Sequence, residues 1–198
     1  MKIRGLILDW DGVWTNGRKR PDGQSDFSEH DTMGLNLLRF AHYAATGELL
    51  RVAIVTGERN PTAEFLVQRE HFDDFIFYAR DKTKAVPLLE ARWGVPADQW
   101  GFVFDDVLDL GLANLVGRRA MVQWDFTKAI QDVAQAEGLV DEWIQPEGAV
   151  RRWCESYVTE MGWLHTAVAE RRAWSPRYQA YWALRNEVQP TITDLSPR

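Results

Sequence analysis

The amino-acid sequence predicts a three-layer α/β fold, a parallel β-sheet covered by helices on both faces, and three observations carry that expectation. Short apolar runs alternate with segments of helical period along most of the chain, the pattern of βαβ units. Each run is only a few residues long and is bounded by turn residues, as buried strands are. Four of the runs end on polar, chemically capable residues, and in a parallel sheet those ends face one crevice.

Ile3 to Asp9 reads as the first strand, ending at the Gly12 turn. Val13 to Glu29 is polar, with turn signals at Asn16-Gly17 and Pro21-Asp22-Gly23, and is expected to project as a β-hairpin flap. Gly34 to Ala45 places Leu35, Leu38, Phe40 and Ala41 at helical spacing and stops at Gly47. Arg51 to Val55 is a β-branched strand that ends at Thr56-Gly57, and Pro61 opens a helix that runs to Glu70. Phe75 to Tyr78 is a third strand, followed by Asp81-Lys82 and a helix from Thr83 to Trp93. Gly101 to Phe104 is a fourth strand that ends on Asp105-Asp106, followed by a helix from Val107 to Leu115. Ala120 to Val122 and Glu142 to Ile144 are short strands, the latter at an edge, with helices over Phe126 to Glu137 and Gly148 to Val158. Together these make a Rossmann-like arrangement.

The chain has 198 residues, enough for one domain with a sizeable core. A net charge of -6 argues against nucleic acid as a partner, because phosphate binding by a bare surface needs a basic field. One cysteine, Cys154, cannot form an internal disulfide, so a reducing compartment, the cytoplasm, is expected. No leader-like segment and no apolar run near roughly 18 residues appears, so neither export nor membrane spanning is indicated.

Asp9 and Asp11 sit two residues apart at a strand end, a spacing that points both acids the same way from an extended backbone. Such a pair suits nucleophilic and acid/base work, although a lone D-x-D also serves as a polar strand end that caps the next element. Asp105, Asp106 and Asp109 add acids at another strand end. Acids gathered in one crevice repel each other unless a cation sits among them, and hard oxygen ligands suit Mg²⁺. Lys82 offers a fixed positive charge; the Thr56 hydroxyl and the amides of Gly12 and Gly57 offer donors to phosphoryl oxygens. The sum describes a phosphoryl-transfer site acting on a small phosphorylated substrate.

The motif D-x-D-G-V-x-T-x-G at Asp9 to Gly17, the strand ending in Thr56-Gly57, Asp81-Lys82, and D-D-x-x-D at Asp105 to Asp109 resemble the four motifs of the haloacid dehalogenase (HAD) superfamily of phosphohydrolases. Within it the chain is most similar to the 3-deoxy-manno-octulosonate 8-phosphate phosphatase group, through DTMGL at Asp31 to Leu35 and GAVRRWC at Gly148 to Cys154. The resemblance covers roughly Lys2 to Val158, so 1–158 is expected to form a HAD-like phosphatase domain and 159–198 a Trp- and Arg-rich helical extension and tail. The short spacings from Asp11 to Thr56 and from Thr56 to Lys82 leave room for a flap but for no separate cap domain.

By resemblance, Asp9 is the nucleophile that forms an aspartyl-phosphate, Asp11 the acid/base, and Thr56 and Lys82 hold the phosphoryl group. Mg²⁺ is implied at Asp9, the Asp11 backbone carbonyl and Asp105, with Asp109 in support. Gly12, Gly57, Arg59 and Asp31 complete the expected substrate-binding set, and a homotetramer in which neighbours close the site is implied. The chain departs from the group at Phe104, where glycine is usual and a bulky side chain would stand beside the metal ligands, and at Thr32 and Gly111. Asn36 and Glu58 stand where the group places arginines that grip an acidic sugar, so a different sugar phosphate, or a polar phosphomonoester without a carboxylate, is also consistent.

In the remainder, Arg151 and Arg152 either reach a neighbour's site or lie on a solvated helix face. Trp163, Trp174, Tyr178, Tyr181 and Trp182 lie among arginines, a composition suited to packing on this or a neighbouring subunit. Residues 191–198 are expected to be disordered. Two other readings stand beside the phosphatase: a catalytically inactive HAD-like binding or scaffold subunit, and a phosphomutase, which the absence of a cap disfavours.

Overall fold

The computed structural model describes residues 2–197, and the alternation in the sequence becomes a single parallel sheet. Among the described residues its strands are β1 (Gly5–Leu8), β2 (Arg51–Val55), β3 (Asp74–Phe77), β4 (Trp100–Phe104), β5 (Arg118–Val122), β6 (Glu142–Ile144) and β7 (Thr191–Asp194). They lie in the order β6-β5-β4-β1-β2-β3-β7. Gly5 to Leu8 of β1 are in register with Arg51 to Ile54 on one side and with Trp100 to Val103 on the other. The chain therefore builds outward from β1 to β3, then crosses back to lay β4 on the free edge of β1. That reversal between β1 and β4 is where an open parallel sheet makes a crevice.

The helices are α1 (Glu29–Thr46), α2 (Pro61–Glu70), α3 (Ala85–Trp93), α4 (Leu110–Ala113), α5 (Lys128–Ala136), α6 (Ala149–Glu160), α7 (Leu164–Ala173) and α8 (Pro176–Asn186). Leu6, Leu8, Val52, Ile54 and Phe75 pack in one layer with α1, α2 and α6, while Ile7, Ala53, Val55, Phe102 and Phe104 pack in the other with α3 and α5. Both faces of the sheet are covered, which is why the strands read as unbroken apolar runs. Among the described residues no helix is long and apolar enough to cross a membrane.

Helix α1 starts earlier than its apolar period suggests, because Ser28 caps it by accepting from the His30 N–H at 3.1 Å. It crosses α6 in contact: a Cβ on Gly34 would stand 2.7 Å from the Cα of Arg151. The first turn of α6 has no side-chain cap of its own, and Asp31 supplies one, accepting from the Arg151 N–H at 2.8 Å. Asp31 is thus committed to a helix–helix joint, and burial pushes its carboxyl up. Arg151 and Arg152 also have partners within the chain, Glu155 at 2.5 Å and the Glu147 carbonyl at 2.8 Å.

The C-terminal extension packs on α1 and shares its core. Tyr178 packs edge-on and Tyr181 tilted against Phe40, with ring centroids 4.9 and 5.5 Å away. The Tyr178 hydroxyl donates to Asn36 Oδ1 at 2.6 Å, and Asn36 Nδ2 donates to the Tyr181 hydroxyl at 3.4 Å, all three side chains being buried. Arg185, also buried, pairs with Glu70 at 3.1 Å.

Three sequence expectations are corrected. The tail expected to be disordered forms β7 at Thr191–Asp194, held beside β3 by Thr191 N–H to Asp73 O at 2.9 Å and Leu195 N–H to Phe77 O at 3.0 Å; Arg198 lies outside the described residues. Its pairing partner is more than a hundred residues away, so no local pattern announces it. The flap is a loop, not a β-hairpin: its two turn signals leave only residues 18–20 between them, too few for a ladder. The loop is fastened by Ser25, whose hydroxyl accepts from Trp10 Nε1 and Asn60 Nδ2, each at 2.9 Å. The helix expected over 107–115 splits into a 3₁₀ turn, Val107–Asp109, and the short α4, because Asp106 and Asp109 form a capping box across that turn.

Replacing Tyr178 with Phe leaves Asn36 Oδ1 buried without its short donor. We expect a loss of about 1–2 kcal/mol, read as a lowered urea midpoint at unchanged m-value; a midpoint equal to wild type would show that the Asn36 bond does not anchor the extension.

Candidate active site

Asp9 follows β1 and Asp105 follows β4, the two strands that flank the reversal of the sheet. Thr56 follows β2, and Lys82 opens the 3₁₀ turn Lys82–Lys84 after β3. Lys82 Nζ lies 2.5 Å from Asp9 Oδ1 and 2.5 Å from Asp109 Oδ1, with all three side chains buried. The other Asp109 oxygen accepts from the backbone N–H groups of Asp106, at 3.2 Å, and Asp105, at 3.4 Å. Asp109 is therefore tied to both the lysine and the loop that carries Asp105.

Burial pushes Asp9 up to about 7; Lys82 pulls it down and Asp109 pushes it up, without cancelling the burial. Asp105 is pushed up to about 9, first by burial and then by the charges of Asp9 and Asp109. Burial works against the charge on Lys82 as well, but Asp109 and Asp9 more than offset it and hold the ammonium protonated. Oxygens of Asp9, Asp105 and Asp109 lie within 4.8 Å of one another. Ionised together, three carboxylates against one ammonium would leave two negative charges uncompensated, which is why Asp9 and Asp105 hold on to protons; among the described residues Asp105 has no cationic side chain within ion-pair distance. A hard donor set of that charge fits a divalent cation. Gly12, at φ +89°, belongs to the same cradle: a Cβ there would fall 1.9 Å from Asp105 Oδ2.

A cavity of about 780 Å³ opens over this cluster and brings together Asp9, Asp11, Gly12, Thr56, Gly57, Lys82, Asp105 and Asp109. Asp11 does not point the same way as Asp9. The strand ends at Leu8, so the backbone from Asp9 to Asp11 is already turning. The Asp11 carboxylate faces Lys19 of the projecting loop, at 2.6 and 2.7 Å, while Asp9 faces Lys82. Two residues expected to bind substrate lie elsewhere. Arg59 donates to Glu64 at 3.1 and 2.8 Å and stands 5.0 Å over the Phe77 ring, outside the cavity lining. Asp31 reaches only a neighbouring cavity of about 390 Å³.

Asp81 is exposed and caps the Lys82 turn through the Thr83 N–H at 3.2 Å. Phe104 is buried in the layer with α3 and stacks on Phe102, 5.1 Å between centroids, so its bulk does not stand beside the acids. Sequence reasoning missed Trp124, Phe126, Arg18 and Glu147, which also line the large cavity. Trp124 Nε1 donates to the Gly12 carbonyl at 2.9 Å. The signal for Trp124 and Phe126 was their position: both directly follow β5, at the carboxyl end where sheets of this kind gather ligands.

Comparison with solved structures finds the same architecture in several proteins. The chain is similar to a HAD superfamily (subfamily III A) hydrolase from Legionella pneumophila, with TM-score 0.70 and 25% identity over 86% of this chain and 90% of that one. It is similar to the cobalt-bound deoxy-D-mannose-octulosonate 8-phosphate phosphatase of Haemophilus influenzae, with TM-score 0.66 and 24% identity over 82% and 91%. It is also similar to the 3-deoxy-D-manno-octulosonate 8-phosphate phosphatase of Moraxella catarrhalis, solved with magnesium, phosphate and KDO, with TM-score 0.65 and 21% identity over 84% and 92%. No protein-family model and no curated protein matches the chain. The fold is that of the HAD superfamily hydrolases, the superfamily that the motifs resemble.

The raised carboxyls predict how the metal-free protein responds to pH. Folded Asp9 and Asp105 keep protons that the unfolded chain has already released, so their contribution to stability is greatest below the ordinary carboxylate range. It is lost as pH rises through about 7 and about 9. We expect the urea midpoint in EDTA to fall between pH 5 and pH 9, Asp105→Asn to flatten that fall, and a divalent cation to restore the midpoint at pH 8. A metal-free midpoint that stays level or rises over this range would contradict the burial of uncompensated acids.

Proposed function

We propose that this chain is a Mg²⁺-dependent phosphomonoester hydrolase that works through an aspartyl-phosphate on Asp9. The observation that carries the reading is the buried Lys82 ammonium shared by Asp9 and Asp109 beside the unpaired Asp105. It gives a nucleophile, a fixed cation and an unfilled demand for positive charge in one crevice. Asp9, Asp105 and the backbone carbonyl of Asp11 would hold Mg²⁺, with Asp109 in support, and the bound ion would neutralise charge on the phosphoryl oxygens.

In the first step a carboxylate oxygen of Asp9 attacks phosphorus in line as the ester P–O bond breaks. Lys82 and the Thr56 hydroxyl hold the equatorial oxygens, and the leaving oxygen takes a proton from Asp11. In the second step Asp11 accepts a proton from water, whose oxygen attacks the aspartyl-phosphate; the acyl-phosphate P–O bond breaks, releasing phosphate and restoring Asp9. For both steps Asp11 must part from Lys19, so the projecting loop adjusts when substrate enters.

The substrate on this reading is a sugar phosphate or sugar-acid phosphate. Asn36 is buried under α8 and Glu58 is acidic, so neither position offers a cation to a carboxylate. A homotetramer in the cytoplasm belongs to the same reading and is checked by light scattering on the purified chain. The scaffold alternative rested on Phe104 and the lost arginines, and Phe104 lies in the core rather than over the site.

Release of inorganic phosphate from a panel of sugar phosphates with Mg²⁺, abolished by EDTA, is the expected result. Asp9→Asn should lower kcat by on the order of 10⁴-fold or more while an unchanged far-UV circular dichroism spectrum shows the fold retained. Wild-type rates in the Asp9→Asn protein would exclude the aspartyl-phosphate, and no release from any ester would favour the scaffold.

A further inference from the structure

An aromatic step stands at the mouth of the catalytic cavity, and the hydrolytic chemistry does not use it. Trp124 and Phe126 stack with centroids 5.5 Å apart and planes 24° from parallel. Trp124 is fixed: Nε1 donates to the Gly12 carbonyl at 2.9 Å, and its own carbonyl accepts from Gln131 Nε2 at 2.7 Å and the Thr127 N–H at 3.1 Å. Phe126 has the opposite character. It is 79% exposed, and among the described residues its only ring partner is Trp124.

Both rings line the catalytic cavity, and Leu108, 51% exposed, lines it as well. A phenylalanine ring left in water forgoes its burial energy, here in a cavity whose floor is charged and whose lining is apolar at Leu108, Trp124 and Phe126, beside the charged Arg18, Glu58 and Glu147. That combination suits a ligand with an anionic end and a flat apolar end. The rim is also tied to the floor, because the Gly12 carbonyl that holds Trp124 belongs to the glycine packed against Asp105.

We propose that Phe126, seated on Trp124, is the specificity-determining platform for the leaving group. The substrate would be a phosphomonoester whose leaving group carries a flat unsaturated ring, stacked on the free face of Phe126. This rests on the hydrolase reading above and narrows its substrates to phosphomonoesters, sugar phosphates among them, whose leaving group bears such a ring. Recognition by stacking also fits the loss of cations at Asn36 and Glu58: a ring offers a π face to an aromatic side chain and needs no arginine. A saturated chain offers no such face.

The test compares phenyl phosphate with propyl phosphate, with Mg²⁺, on the full chain. Their phosphonates, which cannot be hydrolysed, are titrated by calorimetry in parallel. We expect wild type to prefer the phenyl compound in both kcat/KM and Kd. Phe126→Ala should reduce that preference about tenfold, equivalent to about 1.4 kcal/mol, and Phe126→Tyr should retain it. The phenyl-to-propyl ratio cancels any general loss of folded protein. An unchanged ratio in Phe126→Ala overturns the platform, as does a variant that alters the oligomeric mass while keeping ring preference, which would make Phe126 a subunit contact. Turnover of both esters without ring preference leaves the hydrolase standing and removes the platform. Selective phosphonate binding without turnover does the reverse.

Discussion

The site depends on one buried ammonium. Lys82 reaches from the turn after β3 to Asp9 after β1 and Asp109 after β4, so three separate connections of the sheet meet on a single charge. Removing one partner of such a buried pair typically costs about 3–5 kcal/mol, because the remaining charges stay desolvated. The lysine does not balance the cluster, however. Asp105 stays without a cation and its carboxyl is held far above the usual range. Folding therefore gathers more acid than base at the sheet's reversal point, which suits the proposed cation-binding site better than a closed salt bridge.

Much of this arrangement was legible in the sequence because it is local. Short apolar runs ending on Asp9, Thr56, Lys82 and Asp105 announce both the parallel sheet and the gathering of those residues at one edge. What could not be read depends on partners distant in sequence. Strand β7 has no meaning without β3 more than a hundred residues earlier. The direction of the Asp11 carboxylate is set by Lys19 on a loop whose path follows from Ser25 being held by Trp10 and Asn60. Arg59 looked available beside Thr56-Gly57, yet the turn into α2 places Glu64 within its reach and the guanidinium pairs there. Phe104 illustrates the period of a strand: it shares a face with Phe102, so it enters the core, while the acid that follows it faces the crevice.

The C-terminal extension explains one loss in the motif set. Asn36 occupies a position where the resembling group carries an arginine, and here it is the polar centre of the contact between α1 and α8, satisfied by two tyrosine hydroxyls. An arginine at that depth would need its own hydrogen-bond acceptors, as Arg39 does one turn later by donating to the Glu70 and His71 carbonyls at 2.6 and 2.9 Å. Covering α1 with aromatic helices and gripping a ligand anion from α1 are therefore competing uses of the same surface. In this chain packing has taken it.

That competition separates the two halves of the site. The floor is built from strand ends and a buried lysine, where each carboxyl is constrained by neighbours on both sides and a substitution disturbs charge balance and fold together. The rim is built from the loop after β5, where Phe126 is exposed with Trp124 as its ring partner, and from the projecting loop, whose partly exposed Lys19 bonds Asp11 from outside the cavity lining. Residues on the floor cannot change without altering the chemistry, whereas residues on the rim can change at little cost to stability. On the proposed mechanism, specificity is then free to diverge while Asp9 stays in place.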